Sequence, residues 1–357
     1  MRLIRARING GALRSNLQRL RGLAPASKLM AVVKANAYGH GLVGAALALS
    51  DADAFGVARI DEAIALRAAG IRKPIVLLEG VFNAAQMAEA AHRQLELVVH
   101  EAAQLSLLEA WRGEHPFTLW LKVDTGMNRL GFRGADLPAA WQRVTALRPR
   151  PAALRLMTHL SSADEPDGSV TRQQLQRFAP LAQGLGVPLS VANSAAIFAT
   201  PESHCDWIRP GLVLYGVSPF ADRSGTALGL QPAMTLETTV IAVRQVAAGE
   251  RVGYGGAWRA GRASRVAILA AGYGDGLLRS LPNGAPVLIN GQRAPLAGRV
   301  SMDMIAVDVT DLPPVMVGDT AELWGPGLAV EAVAAAAGTI PYELLCAVSQ
   351  RVPLETV

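Results

Sequence analysis

The sequence predicts an α/β fold: an N-terminal (β/α)8 barrel of the TIM type over residues 1–230, followed by a mainly β C-terminal domain over residues 231–357. Three observations carry that expectation. From residue 28 to about 216, short apolar runs alternate with helix-period segments, and eight such runs can be counted. No glycine-rich phosphate fingerprint follows the first run, which disfavours the competing open, doubly wound sheet. From about residue 231 the pattern changes to alternating, β-branched runs that Gly and Pro interrupt at short intervals, as in an all-β module.

In chain order, LIRARIN reads as a strand of its own, with residues 1–9 free to pair with the C-terminal domain. ALRSNLQRLRGL then sets Leu13, Leu17 and Leu20 on one helical face. KLMAVVKA opens the barrel and HGLVGAALALS follows it. AFGVARI is paired with DEAIALRAAG, PIVLLEG with AAQMAEAAHRQ, LELVVH with EAAQLSLLEAW, and FTLWLKVDTG with DLPAAWQRVTAL. LRLMTHL precedes VTRQQLQRFAPLAQGLG, PLSVANS precedes a short segment, and WIRPGLVLYG supplies the eighth strand. Right-handed crossovers between parallel strands close such a series into a barrel. The second domain is read from TLETTVIAVRQV, RVAILAAGYG and APVLINGQRAPLAGRVSMDMIAVDVT, with ELLCAVSQRVP after them.

With 51% apolar and 18% charged residues in 357, the chain can bury a sizeable core, and wholesale disorder is excluded. The net charge of +5 is scattered, and its densest cluster, Arg259 to Arg265, has no interleaved aromatics, which argues against a nucleic-acid partner. Cys205 and Cys346 are far apart and in no metal or disulfide spacing, so no metal is expected and a reducing cytoplasm fits. MRLIRARING lacks the apolar centre of a signal peptide, and LAVEAVAAAAG is interrupted by Glu331, so neither secretion nor a membrane is expected.

Catalytic side chains of such barrels collect at the C-terminal ends of the strands. Lys34 follows the run Leu29-Met30-Ala31-Val32-Val33 directly. Alone it reads as a lysine whose stem leaves the core for water. The sharper reading is a partly desolvated amine able to form a Schiff base with a carbonyl cofactor. Tyr38 follows the same strand; Lys122, Asp124 and Arg129 lie at or beyond the fifth, His159 ends the sixth, Asn193-Ser194 end the seventh, and Arg209 lies on the eighth. Each has a plain reading, such as a rim histidine or a helix cap, but together they form a constellation. Arg209 sits inside an apolar run beside Pro210 and needs an acceptor, a carboxylate or a ring nitrogen.

AVVKANAYGHG, LKVDTGMNRLGF, MTHLSSAD, NSAA, WIRPGLVLYG, VGYGG, GYGDG, GRVSMDM and PYELLC closely resemble, in the same order, the motifs of the bacterial alanine racemases, from about residue 3 to Pro353. The resemblance implies a pyridoxal 5′-phosphate enzyme that interconverts L-alanine and D-alanine as a homodimer with shared active sites. It implies that Lys34 holds the cofactor and that Tyr38, Ser194, Gly211 and Tyr342 bind its phosphate. His159 would lie beside the pyridine ring and Arg209 against its nitrogen, which an arginine keeps unprotonated. The ring is then a weaker electron sink, which suits racemisation better than transamination.

By the same resemblance Arg129 receives the substrate carboxylate, and Lys122 matches a lysine that is carbamylated in several members and unmodified in others. Racemisation needs a base on each face of Cα. Lys34 would be one, and Tyr254 the other, reaching the site from the partner subunit with Tyr273, Met302 and Asp303. Three alternatives stay open: a broad-specificity amino-acid racemase, a non-catalytic pyridoxal phosphate-binding barrel protein, and a barrel-type decarboxylase. The second of these lacks a domain like residues 231–357, and the third sets an acid where Arg209 stands.

Overall fold

A computed structural model describes residues 3–357. Eight parallel strands, Lys28–Val32, Ala54–Val57, Ile75–Leu77, Glu96–Val99, Thr118–Asp124, Ala153–Met157, Leu189–Ser190 and Trp207–Ile208, each pair with the next in chain order. The eighth returns to the first, with Trp207 opposite Lys28 and Ile208 opposite Leu29, so the sheet closes into the expected barrel. The strands are apolar on both faces because one face looks into the barrel and the other onto the helices.

Met30, Ala54, Val76, Val98, Trp120, Met157 and Trp207 form a buried cluster separate from the main core, drawn from seven of the eight strands. They fill the barrel interior. Its floor is a polar plug: the Arg155 guanidinium lies 4.6 Å from the Trp120 ring and 5.0 Å from the Trp207 ring. Glu96 accepts from Trp120 Nε1 at 2.7 Å and from Arg155 Nη1 at 2.6 Å. A desolvated cation over an aromatic face is worth ~2 kcal/mol, so the plug stiffens the end opposite the strand exits.

The eighth strand is shorter than expected. The apolar run WIRPGLVLYG predicts one long strand, but only Trp207–Ile208 pair, and Leu212–Tyr215 form a tight helical turn. Pro210 has no N–H to donate to a ladder, and Gly211 leaves the extended region at φ −122°, ψ −91°. Arg209 therefore stands just beyond the strand rather than on it.

The helix Gly10–Leu23 buries Leu13, Leu17 and Leu20, and Asn9 caps it by accepting from the Ala12 N–H at 3.0 Å. Ile4–Ile8 lies between the antiparallel Met234–Val246 and the parallel Leu354–Thr356, within the sheet of the C-terminal half. That sheet runs in the order Gln292–Pro295, Pro286–Ile289, Thr320–Trp324, Met234–Val246, Ile4–Ile8, Leu354–Thr356. Ser264–Leu269 pairs with the far half of Met234–Val246 and with Ile305–Asp308. Two short helices, Val330–Ala337 and Pro341–Ala347, meet at a 102° bend and bring the chain back to the barrel mouth. No single helix among the described residues is long and apolar enough to cross a membrane.

Candidate active site

The strand exits open into a cavity of ≈ 950 Å³. Lys34, Tyr38, Lys122, Arg129 and His159 line it, as do Asn193, Ser194, Arg209, Gly211 and Tyr342. The structure thus brings together every barrel residue singled out above except Asp124, which acts one step away. Its Oδ1 accepts from the N–H groups of Gly126 and Asn128 at 2.9 and 3.1 Å and so shapes the loop that carries Arg129 to the cavity rim.

Lys34 is followed by four non-glycine residues in the left-handed region: Ala35, Asn36 and Ala37 at φ 54° and Tyr38 at φ 53°. Each such residue costs ~1–2 kcal/mol, so the turn persists only because its surroundings hold it. The Ala35 N–H donates to Glu62 Oε1 at 2.6 Å, and the Leu42 N–H donates to Asn36 Oδ1 at 2.9 Å. His40 Nδ1 lies 3.1 and 2.9 Å from the carbonyls of Ala37 and Tyr38. At Gly39 a Cβ would come within 2.0 Å of the Leu345 carbonyl, so the helix Pro341–Ala347 seats directly on the turn. The result aims Tyr38 inward, its ring centroid 4.9 Å from that of Tyr215 and 5.8 Å from that of Tyr342.

Beside Lys34 lies a cradle of neutral donors. The Gly211 N–H donates to Ser194 Oγ at 2.9 Å, and a Cβ on Gly211 would stand 2.4 Å from Tyr38 Oη, so only glycine fits. Burial raises the Tyr38 phenol above its ordinary value and pushes that of Tyr342 up to about 12, which keeps both protonated near neutrality.

The opposite wall is cationic. Arg209 is buried and donates to Ser190 Oγ at 2.6 Å, to the Thr158 carbonyl at 2.6 Å and to the Val191 carbonyl at 3.2 Å, with His159 Nδ1 at 3.3 Å. Among the described residues no carboxylate pairs with it, and burial lowers its pKa to about 10. Burial first, then Arg209, Lys122, Arg129 and Lys34, hold His159 well below the usual imidazole range. Burial, followed by Arg209, Arg129 and Lys34, lowers Lys122 to about 8.

Four of the expected residues lie elsewhere in the chain. Tyr254, Tyr273 and Met302 are 69%, 40% and 52% exposed on the C-terminal domain, and Asp303 is exposed there as an ion-pair partner of Arg351 at 2.8 Å. None of them lines the cavity. Backbone bonds from Tyr273 to the Ser301 carbonyl at 3.0 Å and from Gly274 to the Met302 carbonyl at 2.8 Å join two of these loops into one face.

Glu62 was not singled out from the sequence. DEAIALRAAG signals a helix with an acidic first turn, and Glu62 Oε2 does accept from the N–H groups of Ala58 and Arg59 at 2.9 and 3.1 Å. Nothing local announces that its other oxygen holds the turn after Lys34.

The alanine racemase N-terminal domain model matches residues 8–219, and the alanine racemase C-terminal domain model matches residues 233–356. The chain belongs to the alanine racemase family. The alanine racemase of Pectobacterium carotovorum is 50% identical over 357 residues, covering 100% of this chain and 99% of that one. The crystal structure of the biosynthetic alanine racemase from Pseudomonas aeruginosa superposes with a TM-score of 0.97 at 46% identity over 100% of both chains. That of Bartonella henselae alanine racemase with covalently bound pyridoxal phosphate gives 0.91 at 31% identity over 100% of both chains.

The cavity of this alanine racemase family member fits a pyridoxal phosphate. A phosphate suits the neutral phenols, the Ser194 hydroxyl and the close backbone at Gly211, where the missing Cβ leaves room. A pyridine nitrogen suits a buried guanidinium with no anion against it.

Proposed function

We propose that this protein is a pyridoxal phosphate-dependent alanine racemase that interconverts L-alanine and D-alanine as a homodimer. The observation that carries this reading is that Lys34 and a buried Arg209 unbalanced by any described carboxylate face one cavity. When bound, the cofactor supplies an electron-withdrawing ring that acidifies the substrate Cα–H.

The chain's own residues do the rest. Lys34 Nζ would hold the cofactor and would move the proton on one face of the substrate Cα. Tyr254 of the partner subunit moves the proton on the other. Arg209 offers only donors, so a ring nitrogen facing it stays an acceptor and the electron sink stays shallow. Tyr38, Ser194, Gly211 and Tyr342 would hold the phosphate, and His159, kept neutral, would lie beside the ring. Arg129 at the rim receives the substrate carboxylate. Tyr273, Met302 and Asp303 of the partner subunit complete the outer wall.

In this reading residues 1–230 are the cofactor-binding unit and residues 231–357 the unit that serves the partner, with the strand Ile4–Ile8 belonging to the latter's sheet. Lys122, with a pKa of about 8, has an amine that is neutral in part at pH 7 and open to carbon dioxide. Its carbamate would be an anion beside Arg129, and loss of one proton to solvent balances the step. Unpaired Cys205 and Cys346 suit a cytoplasmic enzyme.

The test is direct. The purified protein should show the visible absorbance of a lysine-bound cofactor and convert L-alanine to the racemate faster than it converts L-serine or L-lysine. Equal rates on the three would replace the reading with a broad-specificity racemase, and a coloured protein without turnover would leave a binding protein.

A further inference from the structure

The loop that leaves the barrel and the helix pair that carries Tyr342 are far apart in the chain, yet one carboxylate joins them. Glu331 Oε1 accepts from the Ser218 N–H at 2.9 Å and from the Gly225 N–H at 2.8 Å. Glu331 lies in the first turn of Val330–Ala337, where a negative charge is also favoured by the helix dipole.

The loop it grips is closely packed and internally hydrogen-bonded. A Cβ on Gly225 would lie 2.0 Å from the Gly216 carbonyl, and the N–H groups of Leu228 and Leu230 both donate to the Gly225 carbonyl at 3.0 and 2.9 Å. Ser218 Oγ accepts from the Phe220 N–H at 3.0 Å. Upstream, the same segment is continuous with Arg209 and Gly211 at the end of the eighth strand.

On the other side of the clasp, Gly338 at φ +68° turns the chain from Val330–Ala337 into Pro341–Ala347, whose first turn presents Tyr342 to the cavity. The carboxylate therefore ties the segment that follows Gly211 to the helix pair that carries Tyr342.

We propose that Glu331 is a positioning residue that sets how tightly the cofactor phosphate is held, without taking part in the proton transfers; this rests on the cofactor reading given above. The phosphate end is remote from the substrate Cα, so contacts there bind ground state and transition state alike. Loss of the clasp should weaken cofactor binding and leave turnover of the loaded enzyme unchanged.

Apo-protein of wild type, Glu331→Ala and Glu331→Gln is titrated with pyridoxal phosphate by fluorescence quenching, and kcat is measured at saturating cofactor. The alanine variant should bind the cofactor at least about tenfold more weakly, ~1.4 kcal/mol, with kcat within about twofold of wild type. The glutamine variant keeps an oxygen for both N–H groups but loses the charge, and should fall between them. Should the alanine variant fail to fold, the glutamine variant and Glu331→Asp, whose carboxylate is drawn back by one methylene, carry the same comparison. Unchanged cofactor affinity in a folded variant, or a fall in kcat at saturation with affinity intact, overturns the proposal. Failure of the wild type to take up cofactor overturns the cofactor reading instead.

Discussion

The barrel mouth and the C-terminal face both carry residues expected at one active site, but they are built in opposite ways. At the mouth, Tyr38, Lys122, Ser194 and Arg209 are buried, bonded or crowded by like charges, and the ionisations of Tyr38, Lys122 and Arg209 are displaced. On the C-terminal face Tyr254, Tyr273 and Met302 stand in solvent on glycine-rich turns. Exposing that much aromatic and thioether surface together has a meaning when a second surface covers it. Under the function proposed above, the difference has a simple meaning: one half of the site is preformed by folding, and the other would be delivered by association with a second chain.

The largest effect should come from separating the two halves by mutation. Lys34→Ala and Tyr254→Phe homodimers should each lose at least ~10³-fold in racemisation, the scale of a removed proton-transfer group. If each site takes Lys34 from one subunit and Tyr254 from the other, a heterodimer of the two variants has one site with both residues intact. Activity of the co-expressed, tag-separated heterodimer should then return to about half the wild-type rate per dimer. A heterodimer as inactive as its parents would reject a site shared between the two chains.

The dry half should also dominate the pH dependence of stability. His40 packs under the lysine turn, 4.5 Å from the Tyr215 ring, with Nε2 buried and unpartnered among the described residues, and burial lowers its pKa to about 4. The unfolded chain therefore binds a proton near pH 6.5 that the folded chain refuses until about pH 4. Stability is full above pH 6.5, falls by ~1.4 kcal/mol per unit as pH drops, and levels near pH 4 after a loss of ~3 kcal/mol. His159, shifted in the same direction, steepens the slope. Urea denaturation between pH 7 and pH 4.5 should show a shallower slope for His40→Asn, which keeps a donor at the Nδ1 position. An unchanged slope would move the acid sensitivity away from His40.

The barrel was legible because strand and helix periods alternate along it, and Lys122, His159 and Ser194 could be placed because strand ends are marked by where apolar runs stop. The eighth strand was overextended because hydrophobicity alone does not register that Pro210 lacks a donor. The left-handed turn at Ala35 to Tyr38 was not legible, since no glycine marks it until Gly39 and its conformation is imposed by Glu62, His40 and Leu345 from outside. Glu62 and Glu331 escaped for a related reason: each acts on backbone N–H groups distant in sequence, and such contacts leave no local pattern. The role assigned to Tyr254, in a glycine-rich turn outside the cavity, rests on family resemblance alone.

The smallest of these effects concerns the floor of the electron sink. Arg209 sits among acceptors, Ser190 Oγ and the carbonyls of Thr158 and Val191, and among the described residues no carboxylate pairs with it. Arg209→Glu would set a buried carboxyl where only donors stood, able to hand a proton to the ring nitrogen and deepen the sink. A deeper sink stabilises the carbanion and slows its reprotonation, so racemisation should fall about 10²-fold, ~2.7 kcal/mol, while transamination to pyruvate rises. A folded variant that loses racemisation with no gain in pyruvate would mean that the arginine only supports the strand exits. Wild-type racemisation would mean that the guanidinium does not face the ring at all.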